Sequence, residues 1–300
     1  MDRVLVIVGP TGSGKSALAV AIAKKYNGEI ISGDSVQVYR ELNIGSGKIT
    51  TAEQQGIKHH LLDILDYKEN YSVYDFQKKA REIISDISSR GKLPIVAGGT
   101  GLYIKALLYD YDFADNQSPK TDYQELTNDE LYAILEKQDA QAAAKLHVNN
   151  RKRLLRSLEL LETLPGNKTE YLAQQKHEMI YSSLIIGLTM ERTKLYQKIN
   201  ERVDKMFEQG LVAEVSALVK GKLENFDYQA MSAIGYKEFK DYYLKQANLE
   251  EVKEKIKTRT RQFAKRQYTW FNNQMPITWF NVEDNTYRDT MDKFIEDWLS

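Results

Sequence analysis

The sequence predicts an α/β fold: a P-loop NTPase-like parallel sheet flanked by helices, with a mainly helical insertion domain. Three observations carry that expectation. The octapeptide Gly9-Pro10-Thr11-Gly12-Ser13-Gly14-Lys15-Ser16 fits G-x-x-x-x-G-K-[ST] and lies between an apolar β-branched run, Val4 to Val8, and a stretch of helix formers, Ala17 to Lys25. Further short apolar runs, Glu29 to Ser32, Leu93 to Ala97 and Ser183 to Leu188, read as strands of the same sheet. Residues 110–130 then turn acidic, with Asp110, Asp112, Asp115, Asp122, Glu125, Asp129 and Glu130, and lose apolar periodicity until Leu131. A segment therefore leaves the core there, and the expected division is a core of 1–110 and 183–300 with an insertion of 111–182.

The octapeptide explains itself chemically. Its glycines let the backbone turn so that successive N–H groups converge on phosphate oxygens, and the following helix N-terminus adds partial positive charge. Lys15 supplies a point charge, and the Ser16 hydroxyl is placed to hold Mg²⁺. The loop specifies a phosphate or diphosphate, not the molecule that carries it.

Composition narrows the classes. At 300 residues, 42% apolar and 28% charged, the chain can bury a full core as one large or two small domains. Lys+Arg and Asp+Glu are equal at 42 each, which argues against a generally basic nucleic-acid binder while allowing local basic patches. With no cysteine, disulfides, thiolate zinc sites, iron–sulfur clusters and cysteine nucleophiles are excluded. Met1-Asp2-Arg3 runs straight into the first strand and no apolar run reaches the roughly 18 residues of a membrane span, so a cytoplasmic protein without membrane contact is expected.

Along the chain, the strand Glu29 to Ser32 ends at Gly33-Asp34-Ser35, and an acidic residue past a strand's C-terminal end sits where open α/β sheets bind ligands. Val36, Gln37, Tyr39 and Arg40 follow; Gly45-Ser46-Gly47-Lys48 reads as a mobile loop. His59-His60 is read as structural, since adjacent residues do not face one metal. Ser72 opens a helix with Asp75 completing a capping box, and Gly91 stops it. After Leu93 to Ala97, Gly98-Gly99-Thr100-Gly101 places a second Gly-rich turn at the same end of the sheet, where Thr100 offers a hydroxyl to a ligand. In the insertion, residues 131–135 and 140–144 read as helices. Arg151-Lys152-Arg153 and Arg156 crowd the start of a further helix, which Leu164-Pro165-Gly166 ends.

Beyond the insertion, a helix over about 191–209 turns Leu195, Ile199, Val203, Met206 and Phe207 inward and carries Lys194, Lys198, Arg202 and Lys205 as a basic stripe. Residues 211–220 are expected to be helical, and 230–244 helical with an interruption at Gly235. A long helix over 251–271 sets Lys257, Arg261 and Lys265 on one face with Phe263, Tyr268, Trp270 and Phe271 interleaved. Such a helix suits a phosphate backbone, although its aromatics also read as core. Residues 276–280 read as a last strand.

Taken in order, Gly9 to Ser16, Gly33-Asp34-Ser35-Val36-Gln37-Val38-Tyr39, His59-His60-Leu61-Leu62-Asp63, Gly98-Gly99-Thr100-Gly101-Leu102-Tyr103, Gly235-Tyr236-Lys237-Glu238 and Ala264-Lys265-Arg266-Gln267-Tyr268-Thr269-Trp270-Phe271 resemble the tRNA dimethylallyltransferases, also called tRNA isopentenyltransferases. The likeness covers nearly the whole chain. The resemblance implies transfer of a dimethylallyl group from dimethylallyl diphosphate to N6 of adenine 37 beside a tRNA anticodon. On that reading the residues from Gly9 to Ser16 hold the diphosphate, with Thr11 donating to it, and Mg²⁺ sits on Ser16. Arg202 serves as a third cation, with Arg192 its rival, and Asp34 takes the proton from N6. Asp34, Ser35, Val36, Gln37 and Thr100 meet the flipped adenine. Arg151, Lys152 and Arg153, with Lys257, Arg261 and Lys265, grip the anticodon stem-loop, and a monomer is expected. Two departures stand out: His147-Val148-Asn149-Asn150 replaces His-Pro-Asn-Asp, and Asn272 stands where an arginine often follows Thr-Trp-Phe. From the phosphate loop alone, an ATP-dependent kinase of a small molecule is the alternative, with Asp34 as base for a hydroxyl. A non-catalytic nucleotide switch is weaker, because no guanine-reading motif is present.

Overall fold

The chain is described from a computed structural model covering residues 2–111, 121, 123–163 and 178–300. Val4 to Val8 are fully buried, which their apolar, uncharged run demands, and they form all but the first residue of β1 (Arg3–Val8). With β2 (Gly28–Ser32), β3 (His59–His60), β4 (Leu93–Ala97), β5 (Ser182–Thr189) and β6 (Thr278–Asn281), the described residues make one parallel sheet in the order β3-β2-β4-β1-β5-β6. All C-terminal strand ends therefore share one edge, and β1 lies where the chain switches from building one side of the sheet to the other, the position that opens a ligand crevice. The helix Lys15–Lys25 buries Leu18, Ala19, Ile22 and Ala23 against this sheet. Met291 and Ile295, one turn apart on the helix Tyr287–Leu299, complete that core from a segment where sequence reasoning foresaw no helix.

Asp34 follows β2, but β2 does not lie beside β1. Instead β4 stands between β2 and β1. The turn after β2 still closes on the phosphate loop because two glycines meet there: Gly33 N–H bonds Ala97 O at 2.8 Å, and a Cβ on Gly98 would overlap the Gly33 carbonyl. Residues 230–244 are interrupted at Gly235, as expected, but less of them is helical than expected. They hold a short 3₁₀ turn Gln229–Ser232 and a helix of five residues, Phe239–Tyr243, separated by Gly235 at φ 98°. No helix among the described residues is long and apolar enough to cross a membrane.

The chain divides into two units, 1–108 with 179–300, and 109–178. In the second unit Thr127 caps the helix Asn128–Gln138 through Glu130, Asp139 caps Ala140–Ala144, and Leu131, Leu135, Ala143, Leu154 and Leu158 form a core of their own. The expected stop at Leu164-Pro165-Gly166 lies outside the described residues.

At the opposite edge of the sheet from the strand C-termini, Glu29 is buried to 2% exposure among cations. It accepts from Arg90 Nη1 and Nη2 at 2.5 and 2.8 Å and from Lys92 Nζ at 2.9 Å, with His60 Nε2 2.8 Å away. His60 is thus engaged by a carboxylate. Arg90 above all, then Lys92 and His60, hold the Glu29 carboxyl well below the usual carboxylate range against the upward push of burial. A depressed folded pKa confers stability that is present above the unfolded value, about 4.3, and lost as pH falls through the folded one. Glu29→Gln is therefore expected to cost about 1–3 kcal/mol at pH 7. Urea midpoints of the two proteins should converge below pH 4.

Candidate active site

The phosphate loop leaves β1 and enters the helix at Gly14, whose φ of 91° is open to glycine and which caps the helix with no side chain in the way. The helix N-terminus thus faces the crevice bare. Ser13 is buried to 4%, and its Oγ has no hydrogen-bond partner, a cost that a ligand oxygen would remove. Lys15 Nζ meanwhile donates to Pro10 O at 2.7 Å. Burial, then the nearby Arg202 guanidinium, push Lys15 down to about 7, opposed by the Asp34 carboxylate. Arg202 comes from the middle of the helix Arg192–Glu208; burial lowers its pKa, and Asp34 and Glu53 raise it. Two cations and one carboxylate thus lie within electrostatic reach of one another beyond the strand C-termini. Arg192, by contrast, is exposed at the start of the same helix, bonding Tyr196 Oη at 2.9 Å and lying over that ring.

The Asp34 carboxylate organises its own turn: Oδ1 accepts from Val36 N at 2.8 Å and Gln37 N at 3.3 Å. Thr100 Oγ1 accepts from Ser35 N at 3.2 Å, so the second Gly-rich turn holds the first acidic one. Gln37 Nε2 lies 3.5 Å from Gly47 O. The segment Gly45 to Lys48, expected to be mobile, is fastened: Ser46 N donates to Tyr236 Oη at 3.1 Å, Arg202 Nη2 to Gly47 O at 3.1 Å, and Lys48 Nζ to Tyr39 O at 2.7 Å and Asp63 at 2.5 Å.

Sequence reasoning assigned Gln267 no role. Its Oε1 accepts from Thr11 N at 2.9 Å and its Nε2 donates to Gly99 O at 2.9 Å, bridging the phosphate loop to the second Gly-rich turn. The signal was present: Val252, Ile256, Ala264, Gln267 and Phe271 are the buried face of the helix Leu249–Gln274, and an amide on an apolar stripe must find polar partners.

Two of the residues expected to contact tRNA have partners within the chain. Arg151 turns inward, donating to Leu126 O at 2.6 Å, Gln124 O at 2.5 Å and Asn128 Oδ1 at 3.2 Å, which anchors the helix Arg151–Thr163 to the segment before Asn128–Gln138. Lys257, 12% exposed, is neutralised by Asp204 and Glu254, both at 2.9 Å. Lys152, Arg153 and Lys265 are exposed, and Arg261 is half-buried on Asn200 Oδ1 and Thr258 Oγ1 at 2.6 and 2.9 Å.

A parallel sheet with a phosphate-binding loop after its central strand, and a carboxylate and two cations at the strand C-termini, defines an α/β protein of the P-loop type. The IPP transferase family model matches residues 37–274. The chain is 47% identical to the tRNA dimethylallyltransferase of Anoxybacillus flavithermus over 95% of its own length and 92% of that protein's. Among solved structures it is similar to the tRNA delta(2)-isopentenylpyrophosphate transferase of Staphylococcus epidermidis (41% identity, 99% and 98% of the two chains, TM-score 0.74). It is also similar to a eukaryotic dimethylallyltransferase acting on tRNA (30% identity, 98% of this chain and 78% of that one, TM-score 0.86). The chain belongs to the tRNA dimethylallyltransferase family. It is a prenyl-transferring enzyme of tRNA, and none of these likenesses supports a kinase.

Proposed function

We propose that the donor is dimethylallyl diphosphate, held through its diphosphate by residues Gly9 to Ser16, and that the acceptor is N6 of adenine 37 beside the anticodon. The products are N6-dimethylallyladenosine and diphosphate. The observation that carries this reading is that Lys15 at the start of the helix after the loop, Arg202 bonded to Gly47 O and Asp34 in the turn after β2 lie within electrostatic reach of one another. Lys15 and Arg202 neutralise the diphosphate as the allylic C–O bond breaks, Thr11 Oγ1 donates to one of its oxygens, and the N6–C bond forms. An exocyclic amine is a weak nucleophile because its lone pair is delocalised into the ring, so its proton must leave to a base. Asp34 Oδ1 is committed to the turn, and Oδ2 receives that proton. Thr100 and Gln37 line the base side through their polar atoms, with Ser35 and Val36 in the same turn.

The donor set fits Mg²⁺: Ser16 is exposed in the first turn of the helix after the loop, and Mg²⁺ takes few protein ligands beside phosphate oxygens. Bound there, it would supply further neutralisation of the diphosphate.

Lys152, Arg153, Arg261 and Lys265 supply the phosphate-backbone contacts. Replacing Lys152 and Arg153 with glutamine is expected to weaken tRNA binding and reduce the slope of log K against log salt by about 0.7–0.9 for each phosphate no longer neutralised. Donor binding should be unaffected, and an unchanged slope returns both residues to a solvated face. The reading as a whole is tested by incubation with labelled dimethylallyl diphosphate and unmodified tRNA, and separately with ATP and tRNA. Label must enter tRNA at adenine 37 in the first, and no ATP turnover should occur in the second.

A further inference from the structure

The segment Asn43 to Lys48 leaves the base side of the crevice and passes Arg202 with three consecutive backbone N–H groups turned toward one carboxylate. Glu214, on the helix Leu211–Val219, accepts from Asn43 N at 3.0 Å and Ile44 N at 2.7 Å through Oε2, and from Gly45 N at 3.0 Å through Oε1. Tyr236 Oη donates to Glu214 Oε1 at 2.7 Å and accepts from Ser46 N at 3.1 Å, so four successive N–H groups are held by two side chains. Burial, and then the Glu214 carboxylate, push the Tyr236 phenol far up, which keeps it a donor. The backbone is brought close enough because Gly45 and Gly235 carry no side chains: a Cβ on Gly45 would lie 2.6 Å from the Tyr236 ring, and one on Gly235 2.9 Å from Gly45 O.

This clamp ends at a residue that faces the chemistry. Gly47 O accepts from Arg202 Nη2 at 3.1 Å and lies 3.5 Å from Gln37 Nε2. A Cβ on Gly47 would overlap the Arg202 guanidinium, so that guanidinium approaches the backbone closely there. Arg202 itself is a long, flexible side chain whose charge is disfavoured by burial and favoured by the Asp34 and Glu53 carboxylates. Something must fix it, and the Gly47 carbonyl is the acceptor that does so.

We propose that Glu214 and Tyr236 are positioning residues for Arg202: by clamping Asn43 to Ser46 they set the Gly47 carbonyl, which aims the guanidinium at the donor's diphosphate. The proposal rests on the reading of Arg202 as a diphosphate cation. A merely structural clamp would lower stability without regard to Arg202; a positioning clamp acts only through it.

The test is a double-mutant cycle on single-turnover transfer, with thermal midpoints and tRNA affinity measured alongside. Glu214→Gln leaves three N–H groups facing an amide, and Tyr236→Phe removes only the hydroxyl. Each is expected to raise the KM for dimethylallyl diphosphate, and lower the rate, by about tenfold together. tRNA affinity should stay within about twofold. In an Arg202→Ala background neither change should matter further. Gly47→Ala, which displaces the guanidinium directly, should show the same dependence on Arg202. If Glu214→Gln and Tyr236→Phe multiply the loss already caused by Arg202→Ala, or if tRNA affinity falls in step with rate, the clamp is structural only and the proposal fails. If Arg202→Ala by itself leaves transfer unchanged, it is the diphosphate reading of Arg202 that fails.

Discussion

Asp34→Asn is expected to lower the single-turnover rate of transfer by roughly 10²–10⁴, with tRNA and donor affinities nearly unchanged. The geometry makes this substitution unusually clean. The structural work of Asp34 is done by one oxygen, Oδ1, which accepts from Val36 N and Gln37 N. Asparagine keeps that carbonyl oxygen, so the turn that presents Ser35, Val36 and Gln37 should stand, along with the Thr100 contact to Ser35 N at 3.2 Å. What it loses is the second oxygen's ability to take a proton. The comparison is single-turnover transfer beside equilibrium tRNA binding at matched salt. A rate that holds would make Asp34 a positioning residue. Rate and affinity falling together would mean that the turn had moved, and either result removes proton transfer to Asp34 from the mechanism.

Which features were legible in the sequence follows from how local their causes are. The strand–loop–helix around Gly9 to Ser16, the capping box at Ser72 and Asp75 and the buried stripe of the helix Arg192–Glu208 are each specified within a few residues, and the structure builds each of them there. The placing of Asp34 at the ligand edge was legible for the same reason. Sheet order was not: nothing within β2 says that β4 will lie between it and β1, because pairing between parallel strands is set by crossovers and packing far along the chain. The same limit applies to the segment Gly45 to Lys48. Its two glycines read as freedom, yet they permit close approach to Tyr236 and Arg202, residues more than 150 positions away. Charge was the least legible property. Arg151, Lys257, Lys152 and Lys265 look alike in a sequence, and only their neighbours divide them. Arg151 faces backbone carbonyls and Lys257 faces Asp204, whereas Lys152 and Lys265 face solvent.

Lys15→Ala should cost transfer roughly 10²–10³ or more, while leaving the fold at least as stable. The Lys15 ammonium donates one hydrogen bond, to Pro10 O, and burial, then Arg202, push it down to about 7. A base whose folded pKa lies below its unfolded value, about 10.4, is bound to its proton less tightly when folded. Its charge therefore weighs against the folded state fully below pH 7, and the penalty fades as pH rises from 7 toward 10.4. Removing Lys15 should thus raise the thermal midpoint of the free protein at pH 6 and change it little near pH 10. Diphosphate reverses the balance, because an anion beside Lys15 favours the charged form. Inorganic diphosphate should raise the midpoint of the wild-type protein by mass action and do much less for Lys15→Ala. Near-normal transfer by the variant at saturating donor would show that residues Gly9 to Ser16 are not the diphosphate site. A loss of transfer accompanied by a fall in the midpoint at pH 6 would show that Lys15 holds the loop together rather than its ligand.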